Sequence, residues 1–234
     1  MSLAISWLAL LIATPWVQAE DRATRTLRWM EGQPGCTFSA DDDGKYRYGL
    51  WTDDFGVVIA VDALELQKTR RRTEPVFTIH WTIRYRGKDS MEVSPDGATL
   101  EFVEHYHTVQ RALSPDELSD RLQKDANAFA AESERVIRKH PEQTGEKQSE
   151  LQAYQKNIAE MQEFIRSRSL RLAKLDGTRS EVAGWVFFSA SSKWIGDWKK
   201  QEQFVLRIPL AGQVIEFPFA LPPSQGDLLL RRRP

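Results

Sequence analysis

Four histidines are the residues of this chain best suited to chemistry, and His105 and His107 stand only two apart. Alternation along a β-strand puts such a pair on one face, and Glu101 shares their parity. His80 falls on the polar positions of a neighbouring strand. Two or three imidazoles beside a carboxylate suit zinc or copper, and the same groups would serve a metal-dependent or hydrolytic enzyme. A metal usually needs three converging ligands, however, and spacing secures only the His-x-His pair. A polar, solvent-facing strand surface is the simpler expectation, with no cofactor and zinc or copper as the alternative.

Other reaction signatures are weaker. Asp41, Asp42, Asp43, Asp53 and Asp54 cluster in turns, without the alternating spacing of an EF-hand. Ser189, Ser191 and Ser192 lack a Gly-x-Ser-x-Gly elbow. Carboxylates are plentiful, yet nothing singles out a pair for glycoside chemistry. Cys36 is the only cysteine, which rules out an intrachain disulfide. It reads as a structural thiol, with an intermolecular disulfide or a reactive thiol as alternatives.

Binding has a better candidate in Lys193-Trp194-Ile195-Gly196-Asp197-Trp198-Lys199-Lys200. Two indoles four apart among lysines suit a contact loop for a protein, a glycan or a membrane interface, because Trp buries much area at low entropic cost. Trp194, Trp198, Lys193 and Lys199 would then be the binding residues. Alternatively both rings cover the end of a β domain.

The elements that must position these groups fall into two β-like blocks, residues 35–113 and 181–223. Phe77-Thr78-Ile79-His80-Trp81-Thr82-Ile83-Arg84-Tyr85 alternates apolar and polar positions, the signature of a strand with one buried face. Val57 to Val61 is a short apolar strand, and Leu100 to Val109 reads as another. Asp-Gly and Pro-Asp-Gly turns part these strands at the spacing of an antiparallel sandwich. Residues 67–74 read as a solvated loop. Pro209 and Pro218 each remove a donor and point to edge strands or strand ends.

Between the blocks, residues 114–176 read as a long antiparallel helical hairpin. Ser114-Pro115-Asp116-Glu117 has the layout of a capped helix start. His140-Pro141 breaks the first helix. Leu151, Tyr154, Ile158, Met161, Ile165 and Leu172 then recur in steps of three, four and seven, a coiled-coil-like seam. Such an insertion offers a surface for a protein partner or for a second copy of the chain.

Gly184-Trp185-Val186-Phe187-Phe188, followed by Phe204-Val205-Leu206-Arg207-Ile208-Pro209-Leu210 and Phe217-Pro218-Phe219-Ala220-Leu221-Pro222, resembles the last strands of immunoglobulin-like domains in uncharacterised secreted bacterial proteins. The resemblance spans about 40 residues and implies an extracytoplasmic sandwich, with no catalytic residues. The helical insertion departs from such domains.

The N-terminus fits that setting. Leu3 to Ala13 is uncharged and apolar, and Val17-Gln18-Ala19 ends it with small residues, the layout of a cleavable signal over residues 1–19. Its n-region has no Lys or Arg. Residues 20–34 read as a leader strand or loose arm, and 224–234 as a disordered tail. Over 234 residues, 32 basic and 33 acidic side chains leave a net charge of −1. No overall field recruits nucleic acid, and membrane contact would be peripheral at most. The expected protein is therefore mainly β with an α insertion: an immunoglobulin-like antiparallel sandwich that is exported. It serves as a non-enzymatic interaction module of the cell envelope, or else as a metal-dependent or hydrolytic enzyme, or as a carbohydrate or small-ligand binder.

Overall fold

The structure, a computed structural model, describes residues 25–40, 44–69, 75–196 and 198–223. The signal-like segment, the Asp41–Asp43 turn, the Arg70–Arg72 loop and the tail from residue 224 lie outside the described residues. The described chain is mainly β, with helices inserted.

Alternation decides the first half of the sheet. In β5 (Val76–Tyr85) the side chains of Phe77, Ile79, Trp81 and Ile83 have no solvent exposure, while Thr82 and Arg84 point outward. Antiparallel partners continue from it: β4 (Phe55–Asp62), β3 (Lys45–Trp51) and the edge strand β2 (Cys36–Ala40). Residues 63–69 form a short helix, α1, where a loop was expected to begin by residue 67. Asp62 Oδ1 accepts from the Glu65 backbone N–H at 2.8 Å at its start, and Leu66 is fully buried.

The second half contains β1 (Thr26–Arg28), β7 (Thr99–Phe102), β8 (Thr108–Leu113), β10 (Glu181–Ser189), β11 (Glu202–Leu210) and β12 (Gln213–Leu221). Of the leader strand or loose arm expected over 20–34, the described part takes the strand form: β1 runs parallel to β12, and Trp29 is buried. Hydrogen bonds join ten strands into one sheet, in the order β1-β12-β11-β7-β8-β10-β5-β4-β3-β2. The small pair β6 (Met91–Val93) and β9 (Ala173–Leu175) stands apart.

The sheet curls, and rings from its two halves meet across one core. Phe77 of β5 lies 5.0 Å from Phe204 of β11, and Tyr48 of β3 lies 5.6 Å from Phe219 of β12. The extreme edges also approach each other, since Trp29 Nε1 donates to the Thr37 carbonyl of β2 at 3.0 Å. Neither Pro209 nor Pro218 lies on an edge strand; Pro209 stands one residue before the end of β11, as the strand-end alternative has it, while Pro218 lies inside β12. β7 pairs only with residues 204–207 of β11, and β1 only with 214–216 of β12. Each proline therefore sits where the outer neighbour has already ended, so its missing donor is not needed there.

Two 25-residue helices, α2 (Pro115–Lys139) and α3 (Thr144–Arg168), are inserted between β8 and β9. Ser114 Oγ accepts from the Glu117 backbone N–H at 3.0 Å, and Pro115 occupies the first turn. Pro141 opens a single 3-10 turn that links the helices. A long hairpin over 114–176 is not what forms: helix stops at Arg168, and Leu170, Ala173 and Leu175 return to the β core. Leu172, the expected last seam residue, lies outside the helix and is 64% exposed.

Candidate functional site

The sequence-derived site residues separate into two places. His105, His107, Trp194, Trp198, Lys193 and Lys199 gather at one corner, formed by the turn after β7 and the loop between β10 and β11. His80 lies on the outer face of β5, edge-on to Trp185 at 5.3 Å.

The corner departs from the expected strand over 100–109. Val103 to His107 form a turn, in which Tyr106 (φ 57°) and His107 (φ 52°) adopt left-handed backbone. Such geometry in two consecutive non-glycine residues costs energy and needs outside support. Thr108 supplies part of it, its Oγ1 donating to the His105 carbonyl at 2.6 Å. His107 Nδ1 adds a 2.6 Å contact to Glu101 Oε1. The segment Val-Glu-His-Tyr-His contains no Gly or Pro, so only the tolerance of His for this region hints at a turn.

Breaking the strand removes the shared face on which the metal reading rested. His105 Nε2 lies 3.4 Å from Glu202 Oε2, and its ring stacks on Trp194 at 5.9 Å, while His107 turns to Glu101. The three histidines do not converge. Among the described residues no group of three or more His, Cys, Asp or Glu side chains can hold a metal ion. A Glu-His pair can move a proton, yet here both imidazoles face carboxylates rather than a nucleophile.

Of the two readings of the Trp loop, the packing fits the one in which the rings cover the end of the β domain. Trp198 is 9% exposed, its Nε1 donates to the Ala63 carbonyl at 3.1 Å, and its ring stands edge-on to Phe204. Trp194 packs on Phe102 at 5.1 Å. Both indoles close the end of the curled sheet, leaving Lys193 and Lys199 exposed. Indole area that lines a core is not available to a partner.

No protein-family model, curated protein or solved structure matches the chain.

Beside the corner, an ionic row crosses four strands. Arg207 on β11 contacts Glu101 Oε2 at 2.7 Å and Glu216 Oε2 at 2.9 Å, and Arg28 reaches Glu216 Oε1 at 2.7 Å. Both carboxylates are nearly buried, with side-chain exposures of 13% and 10%. The hydrogen bond from His107, then that from Arg207, holds the Glu101 carboxyl below the usual carboxylate range. A depressed folded-state pKa gives stability that is present above the unfolded value and is lost as pH falls through the folded one. Thermal unfolding between pH 7 and pH 3 should therefore show an acid loss, beginning near the ordinary glutamate value of about 4.3. Glu101→Gln should flatten that limb and lower stability by roughly 1–2 kcal/mol at pH 7. An unchanged acid limb would remove the ionic row from the stability argument.

Among the described residues, the helices pack on the sheet at one end. Leu118, Ile165, Phe187, Leu113 and Val76 form a second small core there, with Leu122 and Met161 at its margin. Further along, the helices contact each other: Gln162 Nε2 donates to Gln123 Oε1 at 3.3 Å, and Phe129 packs on Tyr154 at 4.6 Å. Sequence reasoning had found this apolar face but not its division into a docked base and an outer part. The division follows from what the sheet offers, Phe187 and Leu113, which spacing on the helices cannot reveal. None of the described helices is long and apolar enough to cross a membrane.

Proposed function

We propose that the protein is a non-enzymatic interaction module of the cell envelope, which binds a protein partner through α2 and α3. In this reading the two inserted helices are an arm, carried by an immunoglobulin-like sandwich made of the two facing halves of the sheet. The signal-like segment over residues 1–19 would export it. One observation carries the proposal: among the described residues, the arm packs on the sheet around Leu118 and Ile165, with Arg121 donating to Ser189 and Phe164 against Trp185 beside them. At 1.5 Å per residue, the part beyond Leu122 reaches about 25 Å further.

The arm's charges favour a protein over a polyanion. Glu132 with Arg135, Lys147 with Glu150 and Lys156 with Glu160 pair along the helices, leaving mixed signs on the surface. Mixed charge sets partner and register rather than attracting phosphate.

The test is a photo-reactive residue placed in cells at exposed arm positions, Arg135 or Lys156, and at exposed Val109 of β8 as the comparison. The arm positions should yield one adduct of discrete size, and Val109 none. Adducts from all three positions alike, or none from the arm, would discard the proposal.

A further inference from the structure

The outer side of α2 carries charges that its own helix does not use. At about 3.6 residues per turn, Asp120, Lys124, Asn127, Ala131, Glu134 and Arg138 lie within about 40° of the direction opposite Phe129. Phe129 packs on Tyr154 of α3, so this row points away from α3, and all six residues are exposed. Other charges on the arm are satisfied within their helix. Glu117 pairs with Arg121 and Glu132 with Arg135 on α2, while on α3 Lys156 pairs with Glu160 and Glu163 with Arg166. Among the described residues, the side chains of Asp120, Lys124, Glu134 and Arg138 have no such partner.

These four charges form a self-complementary pattern. The row steps by four, three, four, three and four residues, the spacing of a coiled-coil seam, over a length of about 27 Å. An identical helix can be laid against it antiparallel, with the two-fold axis at the level of Phe129. Asp120 then meets Arg138 of the second copy, and Lys124 meets its Glu134. The axis repeats both contacts, so all four facing pairs are opposite in sign. Asn127 meets Ala131 beside the axis, where short side chains let the helices approach. Parallel packing would set each charge against itself. A shift of one heptad in either direction brings no opposite pair face to face, so charge alone specifies the register.

We propose that the chain forms an antiparallel homodimer through this outer face of α2. Each end of the seam joins Asp120 and Lys124 of one copy to Glu134 and Arg138 of the other. Four alternating charges in a network are worth more than isolated surface pairs. Two acidic and two basic groups on each helix give a polyanion no purchase. The contact is one helix wide, at the small end of specific interfaces, so pairing is reversible and depends on concentration. It goes beyond the partner proposed for the arm. Arg135, turned to Glu132, and Lys156, on α3, lie outside the seam and stay open to that partner.

Sedimentation velocity on the full chain, from micromolar to near-millimolar concentration, should show a monomer–dimer equilibrium that molar salt weakens. Lys124→Glu sets the new carboxylate against Glu134 of the second copy, and Glu134→Lys sets two lysines together. Each variant alone should therefore dimerise about tenfold more weakly or worse. An equal mixture of the two variants restores both opposite pairs, and it should dimerise nearly as well as the unaltered chain. Both substitutions exchange good helix formers on an exposed face, and circular dichroism checks that the helices remain. Rescue by mixing separates a lost contact from a lost fold. A monomer at every concentration, a dimer indifferent to either variant, or a mixture that stays monomeric would each overturn the proposal.

Discussion

Phe77→Ala is expected to cost about 3–5 kcal/mol of unfolding free energy, the range for a large ring removed from a packed interior. Phe77 has no solvent exposure, and its ring lies 5.8 Å from Phe102, 5.0 Å from Phe204 and 6.4 Å from Phe219. Those three belong to β7, β11 and β12, on the far half of the sheet, so this one side chain ties the halves together. Interiors are close-packed, and the neighbours are themselves aromatic rings held by their own strands. The cavity would therefore collapse only in part. In a chain of this size the loss corresponds to a fall in Tm of the order of 10 °C. Urea unfolding should show a lower midpoint with an unchanged slope. Tyr106→Ala, which removes an equally large ring from full exposure, should stay within about 0.5 kcal/mol. A Phe77→Ala loss below about 1.5 kcal/mol would mean that the halves do not share a core.

The same residue shows how far the sequence could be read. The alternation through Phe77, Ile79, Trp81 and Ile83 names the buried face of β5 correctly, because one face in a core imposes a period of two. It is silent about which strands lie opposite, since Phe102, Phe204 and Phe219 are distant in sequence. The helix start at Ser114 was legible because capping is local chemistry confined to four residues. The end at Arg168 was not. The apolar beat carried on to Leu172, while Leu170, Ala173 and Leu175 had been claimed by the β core.

Site residues failed for a related reason. His105 and His107 share a face only if the strand continues, and a turn without Gly or Pro left no mark of its own. For Trp194 and Trp198 the sequence left a contact loop and a covered domain end both open, since a lysine can stand in solvent beside a buried indole. The row of Thr82, Val58 and Gly49 across the sheet was invisible, since small residues on separate strands align only through register. What the sequence hides is tertiary adjacency, the property that makes a surface.

Gly184 shows how tightly that adjacency constrains the point where the arm rejoins the sheet. A Cβ at this position would stand 2.5 Å from the Leu170 backbone nitrogen, 2.7 Å from Leu170 Cα and 2.9 Å from the Ser169 carbonyl carbon. All three are backbone atoms, so no side chain can swing aside. The contact is close because Leu170 donates its N–H to the Trp185 carbonyl at 2.9 Å, and Ser169 bridges to Trp185 in parallel register. Replacing a glycine usually gains about 0.4–1 kcal/mol by restricting the unfolded chain. Here overpacking of about 1–3 kcal/mol opposes that gain and exceeds it, so Gly184→Ala is expected to destabilise and Gly184→Val to do so further. Gly145, in the first turn of α3, has nothing within 4 Å of an added Cβ, so Gly145→Ala should carry the opposite sign. Hydrogen exchange separates a local from a global effect. The Leu170 amide should lose protection in Gly184→Ala, while β11 and β12 keep theirs. Since Ser169 and Leu170 directly follow α3, this clamp also sets the direction of the arm. Gly184→Ala should therefore reduce crosslinking from Arg135 and Lys156 without altering any residue on the arm. Full protection at Leu170 in Gly184→Val would show that strand β10 yields instead, and that the clamp does not orient the helices.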